Sequence, residues 1–421
     1  MSNKGSITVI GAAAMGVGSM VGAGIFALLG QAGAIAGNAT YISFLIGGLV
    51  ALSSGYSYAK LGVKFPSSGG VMEFLLQGFG KGTFASTFSI LFICSGIITM
   101  GMVSKTFGTY AASMVGNEHL VPVFTSGIII LFVALNFIGS EMVSKAETLI
   151  VIVKLVILAS FTCAGMFYVN WEHFNPANFP SSSTVLGSLA ITYFAYTGFA
   201  VITNTAGSMS NPSKQLPRAI YLAIGFTIIL YIGLTLVTFG NLSVSDVIKY
   251  KETALAEAAK PIFGSLGFVI ISFAALLSTS SSLNANLFSN FQMANEESNE
   301  GDLSREFAAH LWKNGTKGLL FLGVTVLLLA NFVDLTSIAS IGSTATLLVT
   351  LTVHIGHFRI RKKTGVSTLG LILAILANAA CIILFINATL KTGNYTVFLS
   401  LISLVVGCFI FERFKHSKLS V

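Results

Sequence analysis

The sequence predicts an all-α polytopic membrane protein of about twelve transmembrane helices, two of them broken near the bilayer midplane. Three observations carry that expectation. The chain of 421 residues is 54% hydrophobic and only 9% charged, with a mean hydropathy of +0.85. So few charges cannot cover a soluble protein of this size. Apolar runs of about twenty residues, the length a helix needs to cross the hydrocarbon core, recur along the whole chain. Glycine, which costs a helix interior roughly 1 kcal/mol relative to alanine, crowds the first of these runs. "GSMVGAGIF" (18–26) holds Gly18, Gly22 and Gly24, flanked by Gly11, Gly16, Gly30 and Gly33.

Setting apolar windows against loop signals places the spans, in order, at 9–33, 40–62, 84–114, 121–140, 146–169, 184–209, 218–240, 264–292, 317–333, 336–357, 367–388 and 395–412. The first follows "MSNKGSITVI", which has one lysine and no small-residue cleavage site after its apolar stretch. It reads as a retained span rather than a signal peptide. Span 2 runs out into "YAKLGVKFPSSGG" (58–70) and an amphipathic loop, "VMEFLLQGFGKG". Spans 3 and 5 each hold a lone lysine, Lys105 and Lys154. Span 6, "ITYFAYTGFAVITNTAGSMSNP", repeats the oddity of span 1: Gly198 lies in a polar-dotted middle, and Gly207, Ser208, Ser210, Asn211 and Pro212 crowd its end. Spans 9 and 10 are parted only at 334–335. Near the end of span 10, His354 and His357 share one helix face with no carboxylate or cysteine nearby and read as interfacial histidines. Cys94, Cys163, Cys381 and Cys408 fall within spans at unrelated spacings, as packing residues with neither a disulfide framework nor a metal site.

The formal charge of +8 is a topology signal. With the N-terminus inside, 17 of the 23 Lys and Arg residues fall on the cytoplasmic side, and 4 (Lys249, Lys251, Lys260 and Lys391) fall outside. That bias predicts a multi-pass protein of the cytoplasmic membrane with both termini cytoplasmic, and it removes the reason to invoke nucleic acid. The whole chain, 1–421, reads as a single transmembrane domain. Five spans separate the two weak helices, so they start at opposite faces. Such interrupted segments at matching positions of inverted halves point to a binding site at the midplane. Residues 9–170 and 184–358 are therefore expected to be inverted repeats, with 367–412 as two appended helices.

A helix that unwinds in the membrane frees backbone N–H and C=O groups, which is tolerable only where they face a cavity or a ligand. Free N–H groups suit a carboxylate and free carbonyls suit an ammonium, so a pair of broken helices makes a zwitterion site without charged side chains. The competing reading of Gly18 and Gly22 is a close-packing G-x-x-x-G motif. A dinucleotide fingerprint is excluded, because no strand precedes these glycines and no acidic residue follows for some fifty positions.

"GSMVGAGIF", "YAKLGVKFPSSGG" and "NPSKQLPRAI" (211–220) together resemble the first-span signature, the span 2 exit and the span 6 exit of the amino acid–polyamine–organocation superfamily, and within it the amino-acid permeases. The resemblance covers essentially the whole chain, and among bacterial permeases it resembles a YbaT-like branch. It implies a leucine-transporter-type fold of 5+5 inverted repeats with alternating access. By matching motifs, it places a substrate carboxylate on the backbone N–H groups of Gly22, Ala23 and Gly24, and the amino group near the carbonyls of Met20, Phe194 and Thr197. Ser19, Tyr196, Gly198, Phe199 and Ala200 become pocket or gate positions.

Lys154, in "LIVIVKLVILASF", is an expensive intramembrane cation that needs a partner or a neutral state; the bland alternative is snorkelling to the interface. The resemblance implies that its ammonium stands in for a sodium ion, bonded to carbonyls near Gly18 and to span 8 hydroxyls within "STSSS", with Ser280 and Ser281 as candidates. Protonation there would couple transport to protons. Lys105 either lines an outer vestibule or reaches the interface.

All fifteen carboxylates sit in or near loops or at span ends, which excludes a mid-membrane acidic relay. Where the family often has an acidic residue after the span 6 break this chain has Ala200, and Gly207–Ser208 stand near its acidic pair; a cationic substrate thereby loses its partner. The acidic stretch "NEESNEGDLSREF" (295–307) reads as a solvated loop. No nucleophile–base pair, Walker loop or zinc spacing is visible, so the chain is not read as an enzyme and no cofactor is called for. The expectation is a secondary amino-acid transporter in the lipid bilayer, taking up a neutral amino acid with protons. The alternatives are an exchanger or uniporter with Lys154 as a fixed charge, and a ligand sensor that does not transport.

Overall fold

The computed structural model describes residues 7–67, 69–138, 141–299, 305–312, 315–391, 393 and 395–419. Twelve helical spans run through them: Val9–Ala36, Thr40–Lys64, Thr83–Val115, Val121–Ile138, Glu141–Gly165, the interrupted segment 182–208, Pro212–Asn241, Lys260–Asn299, Lys317–Phe332, Leu335–Arg359, Thr368–Lys391 and Tyr395–Leu419. The stretch "VMEFLLQGFGKG" contains a separate helix, Val71–Phe79, whose apolar side is buried through Val71, Phe74 and Leu75. Spans 9 and 10 part where the sequence places the split. Asp334 caps span 10, its carboxylate accepting the Ser337 amide at 2.9 Å. Span 8 bends at Gly264, whose φ of +65° is open to glycine. The acidic stretch differs in part from a loop: 295–299 continue span 8 as helix, 305–308 form a 3-10 turn, and 300–304 lie outside the described residues.

Large apolar side chains face outward on the peripheral spans, among them Ile130, Leu131, Val324, Leu328, Leu373 and Leu376. The interior instead holds many small hydroxyl residues bonded back to their own helices, such as Ser104, Thr227, Thr235 and Thr350. This inversion suits a protein whose outside is hydrocarbon. Spans 1, 6, 7 and 8 pack together at the centre.

The expected break in span 1 is absent. Val9–Ala36 is one α-helix. Its glycines serve close approach, as the G-x-x-x-G alternative requires: Gly18 lies on Val151 of span 5 and Gly22 on Ser282 of span 8. A Cβ at Gly24 would stand 2.6 Å from the Ala195 carbonyl oxygen of span 6 and also overlap the Tyr231 hydroxyl. Burial of the helix against four neighbours, spans 5, 6, 7 and 8, outweighs the poor propensity of its glycines. Span 6 is interrupted as expected. Leu189–Phe194 is α-helical, 195–196 form a turn, and Thr197–Ser208 continue as a 3-10 helix.

One further reading needs correction. His354 and His357 are not interfacial but fully buried, and hydroxyl groups hold both rings. The apolar part of span 12 ends at Arg413, close to the expected 412, and its helix continues to Leu419.

Candidate functional site

The interruption of span 6 has a local cause. Past Phe194 the hydrogen bonding tightens from i−4 to i−3, as in Tyr196 N–H to the Tyr193 carbonyl (2.9 Å) and Phe199 N–H to the Tyr196 carbonyl (3.2 Å). Threonines reinforce the tighter winding. The hydroxyls of Thr197, Thr203 and Thr205 donate to the carbonyls three residues back, Phe194, Ala200 and Ile202, at 2.6–2.8 Å. Such bonds offer the carbonyls an alternative to the α-helical ladder. A 3-10 run of 12 residues far exceeds the usual three or four and marks a functional segment.

Span 1 crosses this segment at contact distance. A Cβ on Gly198 would stand 2.6 Å from the Met20 amide nitrogen and 2.8 Å from the Ser19 hydroxyl oxygen. Around the crossing, three span 1 carbonyls accept side-chain hydrogen bonds. Lys154 Nζ donates to Gly18 O at 2.9 Å, Tyr231 OH to Met20 O at 2.7 Å, and Ser278 Oγ to Val21 O at 2.8 Å. Tyr231 OH also lies 3.3 Å from the Ala195 carbonyl, so one hydroxyl pins span 1 to the turn of span 6. Lys154 is completely buried and does not snorkel.

Beside the crossing lies a cavity of about 130 Å³. It is well below the roughly 300 Å³ at which drug-sized pockets begin, which fits a small ligand. Ser19, Met20 and Gly24 of span 1 line it, with Phe194, Thr197, Gly198, Phe199 and Ala200 of span 6. Ser95 and Thr99 of span 3, Ser282, Asn286 and Asn290 of span 8, and Thr346 of span 10 supply hydroxyl and amide groups. Among the described residues, no charged side chain lines it. At the far end of span 1 the segment between spans 7 and 8 closes over the bundle. Lys251 Nζ donates to Thr336 Oγ1 (2.9 Å), and Thr336 donates to Gln31 Oε1 (2.9 Å). Burial pushes the Lys251 ammonium below the usual lysine range.

The sequence-predicted residues divide. Ser19, Met20, Gly24, Phe194, Thr197, Gly198, Phe199 and Ala200 meet at the cavity, and Lys154 meets Gly18. Gly22 and Tyr196 do not line it. Gly22 packs on Ser282, and Tyr196 turns its hydroxyl to the Phe44 carbonyl at 3.0 Å. Ala23 lies within the span 1 helix. The hydroxyl that span 8 sends to span 1 is that of Ser278, with Ser282 one turn on, rather than Ser280 or Ser281. Lys105 donates to the Val333 carbonyl at 2.7 Å and so caps the end of span 9.

Sequence reasoning missed Tyr231 and the polar face of span 8. The latter was visible: Ser278, Ser282, Asn286 and Asn290 recur at i+4, one face of an otherwise apolar helix. Tyr231 carried no signal, as a lone tyrosine in an apolar span.

An interrupted span crossing a tightly packed one, beside a small uncharged cavity in a lipid-facing bundle, defines a membrane transporter for a small molecule. The sequence pattern of the family described as "Amino acid permease" matches residues 7–408. The chain is 34% identical to the inner membrane transport protein YbaT of Escherichia coli K12, over 96% of this chain and 95% of that protein. It is 27% identical to the serine/threonine exchanger SteT of Bacillus subtilis (68% and 66%). It is 25% identical to the branched-chain amino acid permease BcaP of the same species (96% and 92%). The chain belongs to the amino acid permease family: it is a multi-pass membrane transporter of amino acids and not an enzyme.

Proposed function

We propose that the protein takes up a neutral amino acid together with protons by alternating access, with 9–170 and 184–358 as inverted halves and both termini cytoplasmic. The observation that carries the coupling is the buried bond of Lys154 to the Gly18 carbonyl, on the helix that lines the cavity. In a helix, the carbonyls of Gly18, Met20 and Val21 accept from the amides of Gly22, Gly24 and Ile25. Lys154, Tyr231 and Ser278 supply alternative donors to those same three carbonyls. Span 1 therefore has replacement partners in place for an opening at 22–25, and opening releases the amides of Gly22, Ala23 and Gly24 to a substrate carboxylate. The amino group then meets carbonyls of Met20, Phe194 and Thr197, and the uncharged lining favours a neutral side chain. A charge-assisted hydrogen bond contributes about 2 kcal/mol, so loss of the Lys154 proton loosens span 5 from span 1 and links protonation to the change of state.

The test is Lys154→Ala in proteoliposomes: uptake becomes independent of external pH. An unchanged pH profile contradicts the proton role. A second reading, exchange of neutral amino acids with Lys154 as a fixed charge, draws support from the serine/threonine exchanger among the relatives. It predicts uptake that needs internal amino acid and ignores the proton gradient.

A further inference from the structure

A line of buried polar groups leads from the cavity toward the end of span 10. Tyr193, which lines the cavity, donates to Ser54 Oγ at 3.3 Å. Ser54 lies 3.2 Å from His354 Nε2, and His354 Nδ1 lies 3.0 Å from Ser57 Oγ. Ser57 Oγ lies 2.8 Å from His357 Nδ1, and His357 Nε2 lies 2.8 Å from Thr364 Oγ1, which donates to the Arg361 carbonyl at 3.1 Å. Thr364 is half-buried, in the basic turn that follows span 10.

Donor counting gives every link one direction. Ser54 already accepts from Tyr193 and from Asn378 Nδ2 (3.0 Å). Both its lone pairs are then taken, so it must donate to His354 Nε2. A neutral imidazole carries its proton on the other nitrogen, so His354 Nδ1 donates to Ser57. Ser57 donates in turn to His357 Nδ1, and His357 Nε2–H donates to Thr364. Asn378 holds Ser54 from span 11 and sets the polarity of the line.

The elements packed on span 10 bring further titratable and charged groups to this region. These are Tyr58 from span 2, Tyr193 from span 6, Cys381 from span 11, Glu73 from the 71–79 helix, Cys94 from span 3, and Cys408 and Glu412 from span 12; Lys105 of span 3 lies at the other end of span 10, on the Val333 carbonyl. Arg359, Arg361, Lys362 and Lys363 stand at the turn. Among the described residues, no carboxylate bonds to either histidine.

We infer that Tyr193, Ser54, His354, Ser57, His357 and Thr364 form a proton wire from the substrate cavity to the basic end of span 10. The inference rests on the proton-coupled reading and gives the coupled proton its exit. A proton taken from the cavity by the Tyr193 hydroxyl displaces that hydroxyl's own proton to Ser54. Ser54 passes its proton to His354 Nε2, and His354 passes Nδ1–H to Ser57. Ser57 passes its proton to His357 Nδ1, and His357 passes Nε2–H to Thr364, whose hydroxyl proton goes to water. Each group gains one proton and loses one, and one proton crosses; rotation of the hydroxyls and exchange of the ring tautomers reset the line. Histidines serve as proton shuttles, and chains of ionisable residues that include histidine form proton relays in transporters.

The test uses proteoliposomes containing a pH-sensitive dye, with a mixture of neutral L-amino acids as the probe. Proton flux driven by the amino acids is compared with counterflow at equal pH, which needs no proton transfer. In Ser57→Ala and in His354→Gln, the proton flux falls by about a hundredfold, the low end of what a positioned proton-transfer group contributes, while counterflow persists. Thr364→Val, at the half-buried end of the line, gives the same separation should the interior variants fail to fold. Proton flux unchanged in a variant that retains counterflow overturns the wire. Equal loss of both, in Thr364→Val and in any interior variant that folds, assigns the line a structural role and overturns it also. Absence of amino-acid-driven proton flux in the unaltered protein overturns the proton-coupled reading itself, and the wire with it.

Discussion

Spans 1 and 6 cross at the centre of the bundle and are both rich in small and polar residues, yet one is continuous and the other is broken. Span 1 is an unbroken helix of 28 residues. Its glycines are sites where a neighbour comes too near for a side chain: Val151 at Gly18, Ser282 at Gly22, and Ala195 with Tyr231 at Gly24. Span 6 gives up its α-helix at 195, and threonines at 197, 203 and 205 satisfy the carbonyls that the tighter winding presents. The difference shows that glycine permits a break without compelling one. What decides is whether the carbonyls have other donors and whether the chain is clamped from outside. Span 1 has such donors in Lys154, Tyr231 and Ser278, but the packing on its glycines holds it shut. On this account span 1 is the part that moves, and span 6 is open beforehand.

Perturbations of the crossing rank accordingly. The largest effect belongs to Gly24→Val, because the obstacle is the backbone oxygen of Ala195, which cannot swing aside. Overpacking of this kind destabilises by about 1–3 kcal/mol; uptake is abolished and the melting temperature in detergent falls. Gly225→Ala, inside the span 7 helix where nothing lies within 4 Å, leaves uptake unchanged and does not lower the melting temperature, because alanine favours the helix; it serves as the control. Next is Tyr231→Phe, which removes the pin between Met20 and Ala195. Uptake falls about tenfold, the equivalent of one hydrogen bond near 1.4 kcal/mol, with little loss of thermal stability. A drop confined to stability would make Tyr231 a packing residue only. Thr205→Val withdraws one hydroxyl from the 3-10 segment, and uptake falls by about two- to fivefold. The smallest effect comes from Lys251→Ala, at the closed end away from both spans' crossing. It changes uptake by no more than about twofold, and a larger change would move the controlling contact from the crossing to that end.

Much of this architecture can be read from the residues, because membrane spans are written in length and hydropathy. The twelve helices, the split near 334–335 and the interruption of span 6 within a few residues of Gly198 all follow from local composition. Span 1 was misread because propensity is local, whereas the contacts that hold its glycines come from spans 5, 6, 7 and 8. The same limit applies to Lys154. Its isolation announces a buried role, but only the fold shows that it reaches Gly18. Ser280 and Ser281 were chosen from a run of hydroxyls without the i+4 spacing that singles out Ser278 and Ser282. His354 and His357 look like interfacial residues until Ser54 and Ser57, some three hundred positions away, are set beside them.

The most direct test of the account is uptake of a labelled amino-acid panel into liposomes holding the purified protein, with and without an inward proton gradient. The account predicts saturable uptake of one or a few neutral amino acids, raised by the gradient. Uptake that requires internal amino acid and is indifferent to the gradient, or thermal stabilisation by an amino acid with no uptake at all, would contradict it.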